Sequence, residues 1–170
     1  GMMVISSASD MAQVEAGFSP AAAALMVSVL SLFNAGGRAS AGILSDKLGC
    51  IGTLSLVFPI SVAALCALFF FGQDSMAVFA VSIALVGACF GALMGIFPGF
   101  TADEFGQRNN TVNYGILFFG FALSGMLGPQ VASWVMSGTG SYRSAFLIAA
   151  VVALAGFALT FLHRRLAARS

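Results

Sequence analysis

Charge is scarce in this sequence. Asp, Glu, Lys and Arg make up 8% of its 170 residues, against roughly 25% in a water-soluble domain, while 59% are apolar. A soluble globule of this length needs a charged coat, and 7 basic plus 6 acidic side chains cannot supply one. Histidine occurs once, as His163 near the C-terminus, and the three cysteines (Cys50, Cys66, Cys89) form no CxxC pair. No Cys/His cluster can therefore hold a metal, and no metal or cofactor is expected. A net charge of +1 offers nothing to nucleic acid. Neither a Ser/His/Asp constellation, nor a phosphate-cradling glycine loop, nor a pair of catalytic carboxylates can be drawn, which argues against an enzyme.

What the chain has in quantity is long apolar runs. A hydrocarbon core roughly 30 Å thick needs about 20 apolar residues in a helix. Five runs of that kind span about 21–44, 52–72, 76–98, 112–136 and 144–162. Turn and charge signals separate them: SDKLG at 45–49, GQDS at 72–75, TADEFGQRNN at 101–110 and SGTGSYR at 137–143. The opening GMMVISSASD is too short to cross a bilayer and lacks the basic start of a signal peptide. It reads as the last two turns of a helix that begins upstream. The expected organisation is thus an all-α membrane protein, with residues 1–8 as the end of a truncated helix and 9–170 as a transmembrane bundle.

Basic residues set the orientation. Loops alternate sides, and one side receives Lys47, Arg108, Arg164, Arg165 and Arg169 while the other receives Arg143. That asymmetry places the 45–51 and 101–111 loops and the C-terminus in the cytoplasm of a multi-pass cell-membrane protein. A loop carrying Asp10 and Glu15 then faces outward.

Glycines recur at helical spacing. Gly87, Gly91 and Gly95 form two GxxxG steps, and Gly120, Ser124 and Gly128 repeat the pattern in the next run. Small residues four apart let helix backbones approach closely in lipid, where no hydrophobic drive joins helices. Such stripes serve static packing or sliding contacts. Pro98 and Pro129 mark helix ends or bends.

Arg38 lies within the first span, seven residues before Ser45. An Arg at mid-membrane costs about 2.5–3.5 kcal/mol on insertion scales. Ser31, Asn34, Gly42 and Ser45 share its helix face, as expected of a wet cavity wall. No acidic residue falls inside any of the five runs. Three readings follow: binding of an anionic ligand, pairing with another part of the protein, or snorkelling to the surface. Tyr114, Phe118, Phe121, Gly125 and Gly128 share a rough aromatic face of the fourth run, fit for lipid contact, packing or cavity lining.

The run GILSDKLG, Gly42 to Gly49, resembles the signature between paired helices of the major facilitator superfamily. Where the family pattern continues with basic residues, Cys50 and Ile51 follow here, as in the weaker copy between helices eight and nine. FNAGGRASAG (33–42), FPGFTADEFG (97–106) and Asn113–Tyr114–Gly115 extend the likeness, and together they resemble the oxalate/formate antiporter branch. SGMLGP (124–129) is similar to a glycine–proline motif of facilitator antiporters.

This resemblance implies the C-terminal half of a twelve-helix fold, with the N-terminal half as its missing partner. The five runs become helices eight to twelve, and the opening segment becomes the outer end of helix seven. It also implies a small-anion site between the halves. Arg38 takes the place of a substrate-carboxylate ligand, with Phe90, Met94 and Phe118 around it. Phe121 falls near the place where oxalate carriers of the branch hold a second cation. Asn34 and Tyr114 complete the expected binding set. Gly42, Asp46, Lys47 and Gly49 belong to a cytoplasmic gate, where Asp46 caps a helix end or pairs with a cation. One cation suggests one carboxylate, hence secondary transport of pyruvate, formate or lactate by alternating access. The alternatives are an oxalate-type exchanger and a non-transporting receptor on the same fold.

Overall fold

The computed structural model describes residues 2–167. Two short helices open it, α1 (Met2–Ser6) and α2 (Ala8–Ala16). Four long ones follow: α3 (Pro20–Phe71), α4 (Met76–Phe105), α5 (Asn110–Thr139) and α6 (Arg143–Ala167). All four are long and apolar enough to cross a membrane. No strand occurs among the described residues.

α3 is two spans joined at a corner. It starts on Ser19, whose hydroxyl accepts from the Ala22 N–H at 3.3 Å, with Pro20 in the first turn. At Gly49 the backbone leaves helical geometry, with φ 75° and ψ 164°, and separates an arm over 20–48 from one over 50–71. Counted by arms, the long helices give the five expected spans.

Three boundaries differ from the expectation. The opening segment is followed by a second helix where a loop was expected. Its first helix closes at Ser6, and after a break at Ser7 a second one, α2, runs on to Ala16, where Gly17 turns left-handed at φ 66° and ends it. Asp10 and Glu15 are therefore helical, on a segment whose Met11, Ala12 and Ala16 face the core. α4 runs past Pro98 to Phe105 rather than yielding to a loop at 101. There the Thr101 hydroxyl donates to the Pro98 carbonyl at 3.0 Å, and a three-residue turn at Gln107–Asn109 suffices to reverse the chain. α5 continues through Pro129 to Thr139 and is capped by Gly140. Neither proline ends its helix.

The chain folds back at two ends. One, the Glu15 end, collects residues 17–19, 72–75 and 140–142; the other, the Gly49 end, collects Gly49, Gly106 and the C-terminal turns of α6. Lys47, Arg108, Arg164 and Arg165 belong to the Gly49 end and Arg143 to the Glu15 end, as the charge count requires. Arg169 lies outside the described residues.

α3 and α4 form the largest interface, followed by α3 with α6. One buried cluster joins Met11, Leu30, Leu65, Phe79 and Phe146; a second joins Ala41, Leu54, Cys89 and Ile96. α5 contributes only Ala132 as a buried residue.

Candidate functional site

The glycine stripe of α4 fixes where Arg38 stands. A Cβ on Gly91 would lie 2.0 Å from the Asn34 carbonyl oxygen, and one on Gly95 would lie 3.0 Å from that of Arg38. Gly87 meets the Leu30 carbonyl at 3.0 Å, while Gly37 of α3 meets that of Ala88 at 2.1 Å. Leu30, Asn34 and Arg38 thus run in step with Gly87, Gly91 and Gly95, four residues per step on both helices. In α5, Gly128 would meet the Met3 backbone nitrogen at 3.1 Å, so that glycine packs as expected. Gly120 does not: nothing lies within 4 Å of a Cβ there. Matching spacing put it in a stripe, but no other element among the described residues comes close to that position.

Phe90 and Met94 lie on the neighbouring face of α4, roughly 100° around the helix from Gly91 and Gly95. They line a cavity of about 430 Å³ together with Leu93, Phe97, Leu117 and Phe121. A train of rings crosses from α5 to α4: Tyr114 to Phe118 at 5.5 Å, Phe118 to Phe121 at 5.0 Å, and Phe121 to Phe90 at 5.8 Å between centroids. Offset, tilted rings at these distances attract.

Of the expected binding set, the structure therefore gathers Phe90, Met94 and Phe121 around one cavity and links Phe118 and Tyr114 to it by ring contact. Arg38 and Asn34 do not line that cavity. They sit at the same height on the adjacent side of α4, Asn34 level with Phe90 and Arg38 level with Met94. Arg38 is exposed and Asn34 half-buried. The one ion pair among the described residues lies elsewhere, between His163 Nε2 and Glu104 Oε2 at 3.2 Å, so Arg38 has no acidic partner there.

At the Gly49 end, Asp46 and Lys47 are exposed, and Gly42 is half-buried with open space at its Cβ position. The expected cap or ion pair of Asp46 is not formed among the described residues. Instead Asp103 of α4 holds this corner, accepting from the Cys50 thiol at 3.3 Å. Gly49 itself occupies a backbone region that only glycine visits readily.

Sequence reasoning missed Glu15. Expected in an outward-facing loop, it is instead helical, 6% exposed, and accepts hydrogen bonds from Gln73, Ser141 and the Tyr142 backbone. The left-handed Gly17 two residues on was the only local signal that a helix reached it. No group of His, Cys, Asp and Glu among the described residues could hold a metal.

Several known proteins are similar to this chain. An uncharacterized transporter of the major facilitator type, YhjX of Escherichia coli, is 37% identical over 123 residues, which cover 72% of this chain and 30% of that protein. The oxalate:formate antiporter of Oxalobacter formigenes is 30% identical over 141 residues, covering 82% of this chain and 34% of the antiporter. Monocarboxylate transporter 12 of Xenopus laevis is 27% identical over 147 residues, covering 85% and 31% respectively. The chain spans about a third of the length of these relatives. The family profile described as Major Facilitator Superfamily matches residues 1–170 in full. With five membrane-length apolar arms, a glycine stripe packed on its neighbour and a lone arginine in a span, the chain belongs to the major facilitator superfamily.

Proposed function

We propose that the carrier to which this chain belongs moves a small monocarboxylate, such as pyruvate, formate or lactate, across the cell membrane by alternating access. The chain supplies helices eight to twelve and the outer end of helix seven. A second six-helix half completes the pathway, and the Gly49 end, with the C-terminus, faces the cytoplasm.

Arg38 carries this reading. It is a cation inside an apolar span, without an acidic partner among the described residues, and α4 holds its backbone at the height of Met94. An uncompensated guanidinium in the bilayer is expensive unless a ligand compensates it. Its planar fork suits a carboxylate, which it can grip with two parallel hydrogen bonds. Asn34 adds a polar group one turn away. Phe90, Met94, Phe118, Phe121 and Tyr114 supply the apolar wall that a methyl or formyl carbon requires. One cation on this half favours one carboxylate. Relatives named for oxalate:formate antiport and for monocarboxylate transport support the substrate class.

An oxalate-type exchanger is the second reading, favoured by the antiporter relative. Arg38 forms no ion pair with an acidic side chain among the described residues, and no acidic residue falls inside the five apolar runs, which suits exchange. The test is counterflow of labelled pyruvate, formate, lactate and oxalate in proteoliposomes holding the full-length carrier, wild type beside Arg38→Gln. Saturable uptake of a monocarboxylate that Arg38→Gln abolishes, in protein that remains folded, is the expected result. Uptake of oxalate alone selects the exchanger. Absence of flux for every small carboxylate overturns the proposal and leaves the receptor reading, while flux indifferent to Arg38 overturns the arginine's role in it.

A further inference from the structure

Glu15 is a buried carboxylate whose partners come from two distant turns of the chain. Gln73 Nε2 donates to one oxygen at 2.5 Å. Ser141 Oγ donates to the other at 2.8 Å, joined there by the Tyr142 backbone N–H. No lysine or arginine pairs with it among the described residues. The end of α2, the turn between α3 and α4, and the turn between α5 and α6 therefore meet on a single side chain. A second tie lies beside it. Arg143 Nε donates to the Phe69 carbonyl at 2.8 Å, and its guanidinium stacks 4.9 Å over the Phe69 ring. The α5–α6 turn is thus bound to α2 through Glu15 and to the end of α3 through Arg143. Burial, with the nearby Asp10 and Glu15 carboxylates, also pushes the Tyr142 phenol above its usual range, in keeping with an enclosed, acidic corner.

α5 depends on its ends. Its flanks bury only Ala132, and Ile116, Phe119, Met126 and Trp134 stand out from the bundle. Sideways support comes from Gly128 on Met3 and from the Phe121–Phe90 ring contact. At its start, Asn110 is bonded to Thr101 and to the Pro98 carbonyl, at 2.7 and 3.4 Å. At its finish the helix turns straight into the residues that Glu15 holds. Hydrogen bonds to a carboxylate are roughly twice as strong as neutral ones, so the finish is the firmer anchor.

We propose that Glu15 is a positioning residue for α5. By clasping the α5–α6 turn to α2 and to the α3–α4 turn, it fixes the tilt of the helix that carries Tyr114, Phe118 and Phe121. The aromatic wall then keeps its height relative to Arg38 while the two halves move. Only this last step rests on the proposed function; the clasp itself does not.

Spin labels at Ser137 and Asp74, both exposed, report the tilt of α5 against the α3–α4 turn. Double electron–electron resonance is measured on the full-length carrier in lipid nanodiscs, on a cysteine-free background. The native clasp gives one narrow distance distribution, and Glu15→Ala broadens it. Glu15→Gln restores the narrow one: its remaining oxygen still accepts from Ser141 and Tyr142, and the Gln73 amide turns to present its own oxygen. If Glu15→Ala is not recovered folded, the Gln73→Ala/Ser141→Ala pair, which spares the Tyr142 bond, broadens the distribution partway. An unchanged width in Glu15→Ala, or in that pair, overturns the proposal. Counterflow separates this from the transport reading. Glu15→Ala raises KM about tenfold with Vmax little changed, and Glu15→Gln restores it. Broadened distances with an unaltered KM keep the anchor and overturn the placement of the α5 rings at the ligand.

Discussion

Gly91 and Asn34 touch backbone to backbone: a methyl group on the glycine would come within 2.0 Å of the asparagine carbonyl oxygen. The contact sets the register of α3 on α4, and with it the height of Arg38 one turn further along. In lipid such close approach replaces the hydrophobic drive that holds helices together in water. Gly91→Ala must push the helices apart or bend one of them. Overpacking of this kind costs about 1–3 kcal/mol. Gly91→Ala is therefore expected to lower the thermal unfolding midpoint in detergent and to weaken carboxylate binding. Gly120→Ala, with open space at its Cβ position, leaves both unchanged. Equal effects from the two substitutions would show that α3–α4 register does not set the site.

The corner of α3 gives a second prediction. Gly49 and Gly106 stand at φ 75°, ψ 164° and φ 78°, ψ 157°, a region open in practice to glycine alone. Gly17, at φ 66° and ψ 25°, lies in the left-handed helical region that asparagine also visits. Gly49→Ala and Gly106→Ala should each destabilise the fold by about 1–3 kcal/mol, whereas Gly17→Asn should be nearly silent. Thermal melts of the three variants check this. A silent Gly49→Ala means that the motif glycine serves something other than backbone geometry.

These glycines mark how far the sequence could be read. Apolar length alone located five spans, because the bilayer imposes one crossing distance on every helix. Helix ends were harder, since polar residues such as Asp103 and Glu104 are compatible with a helix that simply leaves the membrane. The Gly87–Gly91–Gly95 stripe was visible as a spacing, but its partners Leu30, Asn34 and Arg38 were not. Gly120 shows the same spacing with no partner among the described residues. The aromatic set was legible as one helix face, and the structure adds the ring contact that carries it across to Phe90. Glu15 was illegible for a plainer reason: its partners lie 58 and 126 residues away, and nothing local distinguishes a clasp from a solvated carboxylate.

Arg38 yields a third prediction, finer than its removal. Arg38→Lys keeps the positive charge but offers a single ammonium in place of a planar fork. If the ligand is held by two parallel hydrogen bonds, Arg38→Lys should raise KM for a monocarboxylate about tenfold while Vmax falls little. Arg38→Gln should remove saturable uptake altogether. A Lys variant indistinguishable from wild type would mean that charge alone attracts the anion, without bidentate recognition.

Phe121 offers a test of how substrate charge is chosen. It stands in the ring train, 5.0 Å from Phe118 and 5.8 Å from Phe90, and lines the same cavity as Met94. Phe121→Lys places a second cation on the cavity wall, at the expense of two ring contacts. Loss of those contacts alone, as in Phe121→Leu, should weaken monocarboxylate uptake modestly, since an aromatic pair is worth about 0.5–1.5 kcal/mol beyond its buried area. Phe121→Lys should do more than that. An unpaired ammonium in a low-dielectric cavity penalises a substrate with one carboxylate and rewards one with two. The expected outcome in counterflow is a shift of preference from pyruvate or formate toward oxalate, seen with Phe121→Lys and not with Phe121→Leu. If both variants lose uptake equally and neither gains oxalate, Phe121 supports the wall without facing the ligand, and the charge that selects the substrate belongs to the other half of the carrier.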